Sequence, residues 1–167
     1  LTLETCGVRE EAADLCAGYA GMGVGLTTAL RAAPHRLTTG GEVTIPAELL
    51  RAGFPYHQLI PTYMAGDQDR NQGPMPMLEE DCEQWREAVQ HMALTATHYL
   101  ALAREQQSSV PKHARATLLP VVPSLQYLEK LEKANFNVFD SSLVTGSKSD
   151  RLRLLLLLGR TWMTGVF

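Results

Sequence analysis

The segment from Glu79 to about Gln106 has apolar side chains that recur every three or four residues. This spacing places them on one face of an α-helix, and the acidic residues 79–81 at its start favour a helix N-terminus. The apolar positions are Trp85, Val89, Met92, Ala96, Tyr99 and Ala103. A helix with one apolar face must bury that face against other elements. Because the sequence contains neither strand-type alternation nor an internal repeat, the predicted fold class is all-α.

A second long helix is predicted from Arg9 to about Ala33, with Pro34 as its stop. Its middle contains four glycines, each of which costs about 1 kcal/mol relative to alanine in a helix interior. Gly21 and Gly25 fall on one helical face, where the missing side chains allow another backbone or a ligand to approach closely. Their spacing differs from that of a dinucleotide-binding loop, and no predicted strand precedes them. We therefore predict close helix packing at Gly21 and Gly25.

Two shorter helices are indicated by their first and last residues. Pro46 begins a predicted helix over Ala47–Ala52, and Gly53 closes it. Further along the chain, prolines 120 and 123 interrupt the helical pattern. Ser124 is then the predicted N-cap of a helix over Leu125–Ala134.

The C-terminal segment predicts a last helix that begins at Ser149 or Asp150 and continues through a run of leucines. Leucines cover nearly its whole circumference, so the helix must be enclosed by this domain or by a partner. Trp162 and Phe167 are the predicted partner contacts in this tail. The dense apolar run, residues 154–158, is far shorter than the ~20 residues that span a bilayer, so no transmembrane segment is predicted.

Composition excludes several classes of protein. The 167 residues, of which 45% are hydrophobic, fit one compact domain. With 15 basic and 18 acidic residues, the chain lacks the basic excess of a dedicated nucleic-acid binder. Cys6, Cys16 and Cys82 are too few and too unevenly spaced for a disulfide framework or a zinc site. We expect them to be free thiols.

Candidate metal ligands are weak. Glu87, His91 and His98 can share one face of the predicted helix that begins at Glu79, but a zinc or di-iron site requires further ligands from other helices. Surface or core histidines are the favoured interpretation. Asp67 and Asp69 lie in a loop rich in glycine and proline, which favours a solvated loop over a metal site. The sequence therefore predicts neither a metal nor a cofactor.

Three stretches, 21–31, 41–46 and 48–53, together resemble the squalene/phytoene synthase family. Enzymes of that family have a helix ending in Gln-x-x-Asn-x-x-Arg-Asp, then a flap with a Gly-Arg-x-Tyr-x-Pro pattern and a short helix ending in glycine. Leu30, Arg31, Pro46 and Gly53 match these positions. The resemblance implies an all-α, isoprenoid-synthase-like helical domain, present here in part.

The resemblance is closer to a non-catalytic branch of the family, the mitochondrial complex I assembly factors, in which Leu-Arg-Ala-x-Pro replaces Leu-Arg-Asp. Residues 30–34 reproduce that variant. In the enzymes, paired aspartates hold Mg²⁺ against the substrate diphosphate, whereas the matching positions here are Ala32 and Arg36. Gly25 and Thr28 stand at the positions of the glutamine and asparagine. The first aspartate-rich helix of the enzymes lies upstream of the region matched here. The resemblance therefore implies a protein that is not an enzyme.

These observations predict a squalene/phytoene synthase-like domain over residues 1–144 and an apolar helix over 145–167 that contacts a partner. The resemblance implies a scaffold protein, an accessory subunit or assembly factor of a mitochondrial respiratory complex, with complex I as the first candidate. It also implies a location on the matrix side or at the inner membrane. The residues expected to matter are structural. They are Gly21 and Gly25 for packing, Arg31 as a buried polar anchor, Pro46 and Gly53 for the flap, and Trp162 and Phe167 in the tail.

Three alternatives remain open at this point. In the first, the chain is half of a split enzyme that condenses isoprenoid diphosphates, with aspartates supplied by a second polypeptide. In the second, it is a lipid-binding module that keeps an apolar tunnel without chemistry. In the third, it is a subunit of another large mitochondrial assembly, such as the ribosome.

Overall fold

The computed structural model describes residues 2–64, 77–144 and 148–164. Within these ranges every regular element is helical, which confirms the predicted all-α class. The α-helices are α1 (Thr2–Thr5), α2 (Glu11–Gly40), α3 (Leu59–Met64), α4 (Glu79–Glu105), α5 (Val121–Lys133), α6 (Ser141–Val144) and α7 (Lys148–Thr164). Short 3₁₀ turns occur at Ala47–Leu49, Tyr56–Gln58, Gln107–Ser109 and Arg115–Leu118.

The long helices α2 and α4 form the centre of the fold. The Cys16 thiol donates a hydrogen bond to the Ala103 carbonyl at 3.2 Å, and Tyr19 stacks on Tyr99 with ring centroids 6.3 Å apart. Further along α2, Gly23 faces Leu100. Because the residue numbers on α4 fall as those on α2 rise, the two helices run antiparallel. The predicted apolar face of α4 is buried as expected, except that Leu100 rather than Tyr99 is fully enclosed.

Pro34 does not end α2, contrary to the prediction. The helix continues to Gly40 because Ala33 and Leu37 are buried on the same face as the preceding turns. Proline removes one backbone hydrogen bond from the helix, and this tertiary packing outweighs that loss. The helix ends where Gly41 adopts the left-handed conformation, with φ of 65°, and its amide donates to the Leu37 carbonyl at 3.2 Å.

The segment after α2 folds back along the helix, and we call residues 41–58 the flap. The Thr44 hydroxyl donates to the Ala29 carbonyl at 3.1 Å, and Ile45 is buried in the core. The predicted helix over Ala47–Ala52 is only a 3₁₀ turn, Ala47–Leu49. Gly53 has φ of 79°, a conformation that favours glycine, so the chain turns there instead of ending a longer helix.

Helix α5 begins earlier than predicted, at Val121 rather than Leu125. Pro123 lies in its first turn, where a missing N–H costs no internal hydrogen bond. The Ser124 hydroxyl donates to the Pro120 carbonyl at 2.9 Å, so it is not the helix cap. After α5 the chain reverses through Asn135 and Phe136, which both have positive φ.

Helix α7 packs against α5, and Arg153 of α7 forms an ion pair with Glu129 of α5 at 3.2 Å. The prediction that leucines surround this helix agrees with the structure, since Leu154 and Leu157 are half-buried while Leu152 and Leu155 are exposed. In the described part of the chain, none of the helices is both long enough and apolar enough to cross a bilayer.

Candidate functional site

A groove of about 580 Å³ runs between the C-terminal half of α2 and the start of the flap. The side of α2 that lines it carries Gly25, Thr28, Ala32 and Arg36, spaced by three or four residues so that they share one helical face. Glu42 and Thr44 of the flap line the opposite side. These four α2 positions are those at which the family resemblance placed the glutamine, the asparagine and the two aspartates of the enzymes.

Polar side chains of this groove have partners within the chain. Arg36 and Glu42 form an ion pair across it at 3.5 Å. The Thr28 hydroxyl donates to the Val24 carbonyl at 2.8 Å. Because both members of the Arg36–Glu42 pair are more than half exposed, the pair contributes little to stability. Glu42 is the one carboxylate among the residues that line the groove, and Arg36 is its partner.

The groove does not fit the magnesium ion that enzymes of the family hold. A hard divalent cation requires several oxygen ligands, above all carboxylates. Here Ala32 offers no ligand, and the Arg36 guanidinium repels a cation. In the ranges that the structure describes, no three His, Cys, Asp or Glu side chains are arranged to hold a metal. Glu87, His91 and His98 are exposed on α4, as the surface interpretation expects.

Gly21 and Gly25 lie on the exposed face of α2, and a methyl group built on either would meet nothing within 4 Å. Within the described chain nothing packs on these two positions, so the close helix packing expected there remains a prediction about a partner. The close approach is at Gly23, where a Cβ would lie 2.6 Å from Leu100 side-chain atoms and 3.0 Å from the Ala96 carbonyl oxygen. Gly23 belongs to the buried face of α2, together with Ala20 and Thr27.

Arg31 is exposed, so the prediction that it is a buried polar anchor is wrong. Burial raises the pKa of the neighbouring Tyr127 to about 12, and the positive charge of Arg31 partly opposes that rise. The position of Arg31 in the helix explains its exposure, because Leu30 next to it occupies the core-facing position.

The buried polar anchor of this structure is Asp81, which sequence reasoning missed. Its side chain is 3% exposed and its oxygens lie 2.7 and 2.9 Å from the Arg51 guanidinium. The pair ties the flap to the first turn of α4. The sequence carried a signal, because Asp81 stands four residues before Trp85 and so lies on the apolar face of α4. Burial of an acid there requires a cationic partner.

The remaining predicted residues fall into two groups. Pro46 directly precedes the 3₁₀ turn Ala47–Leu49, and Gly53 takes the left-handed conformation at the end of the flap's tight turn. Both therefore stand at the bends that give the flap its path. In the tail, the backbone of Trp162 belongs to α7, but its side chain and Phe167 lie outside the described residues. Asp67 and Asp69 also lie outside them.

The three cysteines are free in the structure. Cys16 is buried, and this burial raises the pKa of its thiol, whereas Cys6 and Cys82 are half-buried.

The sequence profile of squalene/phytoene synthase matches residues 1–153. The chain belongs to the squalene/phytoene synthase family. Most of the described helices, from α1 through α6, therefore lie within the family domain. No solved structure shows significant similarity to this squalene/phytoene synthase family member.

Curated relatives of this family member carry names that concern complex I. The chain is 29% identical over 144 residues to "NADH dehydrogenase (ubiquinone) complex I, assembly factor 6" of Rattus norvegicus. It is 31% identical over 146 residues to the corresponding homolog of Drosophila melanogaster. Each alignment covers 86% of this chain and 38% of the relative, so the chain spans about two fifths of the relatives' length. The predicted resemblance to the assembly-factor branch is confirmed by these matches.

Proposed function

We propose that this chain is a non-catalytic scaffold that acts in the assembly of mitochondrial respiratory complex I, as an assembly factor or as an accessory subunit. Support comes from the relatives, which are named as complex I assembly factors in mammals and in Drosophila. The location follows from that role, on the matrix side or at the inner membrane of the mitochondrion. Its partners are then subunits of complex I.

The observation that carries the non-catalytic part of this proposal is the donor set of the groove. Diphosphate condensation in this family uses carboxylates to bind Mg²⁺, and the groove positions that the family resemblance matches to those carboxylates hold Ala32 and Arg36. Arg36 reaches Glu42 across the groove at 3.5 Å, so the only carboxylate among the groove's lining residues already has a cationic partner. A split enzyme would need its partner polypeptide to supply every carboxylate of the site other than Glu42.

Catalysis is tested by mixing the purified chain with an isoprenoid diphosphate, Mg²⁺ and mitochondrial extract depleted of this protein. We expect no release of inorganic diphosphate above that of the extract alone. Release that depends on this chain and on Mg²⁺ would overturn the non-catalytic proposal and support the split enzyme. Lipid that co-purifies in stoichiometric amount, identified by mass spectrometry, would instead support a lipid-binding module.

The assembly role is tested by tagging the native protein, extracting mitochondria gently and separating the complexes by blue-native electrophoresis with mass spectrometry. Migration with complex I subunits only in smaller intermediates would identify an assembly factor. Stoichiometric presence in the mature complex would identify an accessory subunit. Migration with ribosomal or other subunits, or as a free small protein, would contradict the complex I proposal.

A further inference from the structure

The last helix of the chain exposes a row of large apolar side chains. In α7, Leu152, Leu155, Leu156 and Met163 are 59%, 66%, 66% and 83% exposed. Their spacing of three, one and seven residues places them on one helical face. The opposite face contacts the rest of the fold, where Thr161 is buried. A contiguous apolar surface of this kind marks an interaction site.

Basic residues border this row. Helix α7 contains four basic residues and one acidic residue, although the whole chain has a formal net charge of −3. Arg153 and Arg160 are both exposed and stand seven residues apart, so they share one edge of the row. Glu129 at that edge already pairs with Lys133 at 2.8 Å and with Arg153 at 3.2 Å. Positive charge therefore accompanies the exposed apolar face.

The family does not account for this surface. The family profile ends at residue 153, within the second turn of α7, so three of the four exposed apolar residues lie beyond it. Over its described residues, α7 is not both long enough and apolar enough to cross a bilayer.

We propose that α7 is an interfacial helix that binds the surface of an anionic lipid bilayer. The row from Leu152 to Met163 is about 16 Å long and straight, because it follows one side of a single helix. Lying parallel to the membrane, it buries its leucines at the boundary of the acyl chains while Arg153 and Arg160 remain at the level of the lipid phosphates. An anionic bilayer complements both features, the apolar row and its basic edge. This inference does not depend on the role in complex I assembly.

The test uses the full chain and sedimentation with vesicles of phosphatidylcholine, with and without phosphatidylglycerol. We expect binding to vesicles that contain phosphatidylglycerol, weakened by added salt because the arginine contribution is screened. The double variant L155E/L156E should bind at least about tenfold more weakly, since it places two carboxylates in the interface. Leu78→Glu is the control for an added carboxylate, because Leu78 is 64% exposed directly before α4 and its replacement should leave binding unchanged.

Circular dichroism and thermal melting verify that each variant is folded, which the exposure of the replaced leucines favours. Absence of vesicle binding by the wild-type chain would overturn the proposal, as would equal binding by the double variant. If sedimentation equilibrium showed a dimer that only L155E/L156E dissociates, without any vesicle binding, the row would be an interface between two copies of the chain.

Discussion

Gly21 and Gly23 differ by two positions in α2 and have opposite surroundings. Replacing Gly23 with alanine places a methyl group 2.6 Å from the buried Leu100 side chain, and we expect a loss of about 1–2 kcal/mol after the gain in helix propensity. Gly21→Ala meets nothing within 4 Å and should stabilise the chain by up to about 1 kcal/mol. Urea unfolding measures the change in the free energy of unfolding for both variants. Effects of the same sign would contradict the packing of α2 on α4.

The Arg51–Asp81 ion pair is expected to contribute to the free energy of unfolding. Arg51→Met leaves the buried Asp81 carboxylate without its cation, and we expect a loss of about 1–3 kcal/mol in the free energy of unfolding. The double variant R51M/D81L removes both charges and should recover most of that loss. Arg36→Met is the control, because its exposed pair with Glu42 should contribute less than about 1 kcal/mol. A double variant no more stable than Arg51→Met would show that the charge is not responsible.

At the scale of elements, Glu129 links α5 to α7. Hydrogen bonds from Lys133 and then Arg153 lower the pKa of this carboxyl group below its usual value. Because the pKa is lower in the folded state, the stabilisation is present above the ordinary glutamate range and is lost as the pH falls through the folded-state pKa. The protection of the α7 amides against hydrogen exchange, corrected for the intrinsic rate at each pH, should fall in that acidic range and, in Glu129→Gln, already at neutral pH. The protection of the α4 amides should not change, and an equal loss there would indicate general unfolding instead.

Sequence periodicity predicted α4 almost to the residue but misjudged both the end and the buried face of α2. In α4 the large side chains, such as Trp85 and Met92, mark the core face clearly. The buried face of α2 consists largely of small residues, including Ala13, Ala20 and Gly23, so it does not stand out from an exposed face that carries Met22. Small side chains give a weak periodic signal because burial depends on how closely the neighbouring helix approaches.

For the whole molecule, the family resemblance supplied what periodicity could not. It identified the face of α2 and the flap that form the groove, from matches such as Leu30 and Pro46. It could not reveal the Arg51–Asp81 pair. The two residues are 30 positions apart in the sequence, and their contact depends on how the flap lies against α4. It also does not extend to the greater part of α7, since the profile ends at residue 153.

The exposed face of α2 yields the last prediction, which concerns the assembly role. Because Gly18, Gly21 and Gly25 leave this face flat and exposed, a partner helix can approach its backbone closely. Gly21→Leu should therefore abolish incorporation into complex I intermediates while the isolated chain remains folded. Blue-native electrophoresis of cells that express only the variant measures this, and circular dichroism verifies the fold. Gln90→Leu, which adds the same side chain to the exposed face of α4, should incorporate normally. Normal incorporation of Gly21→Leu would exclude this face as the contact.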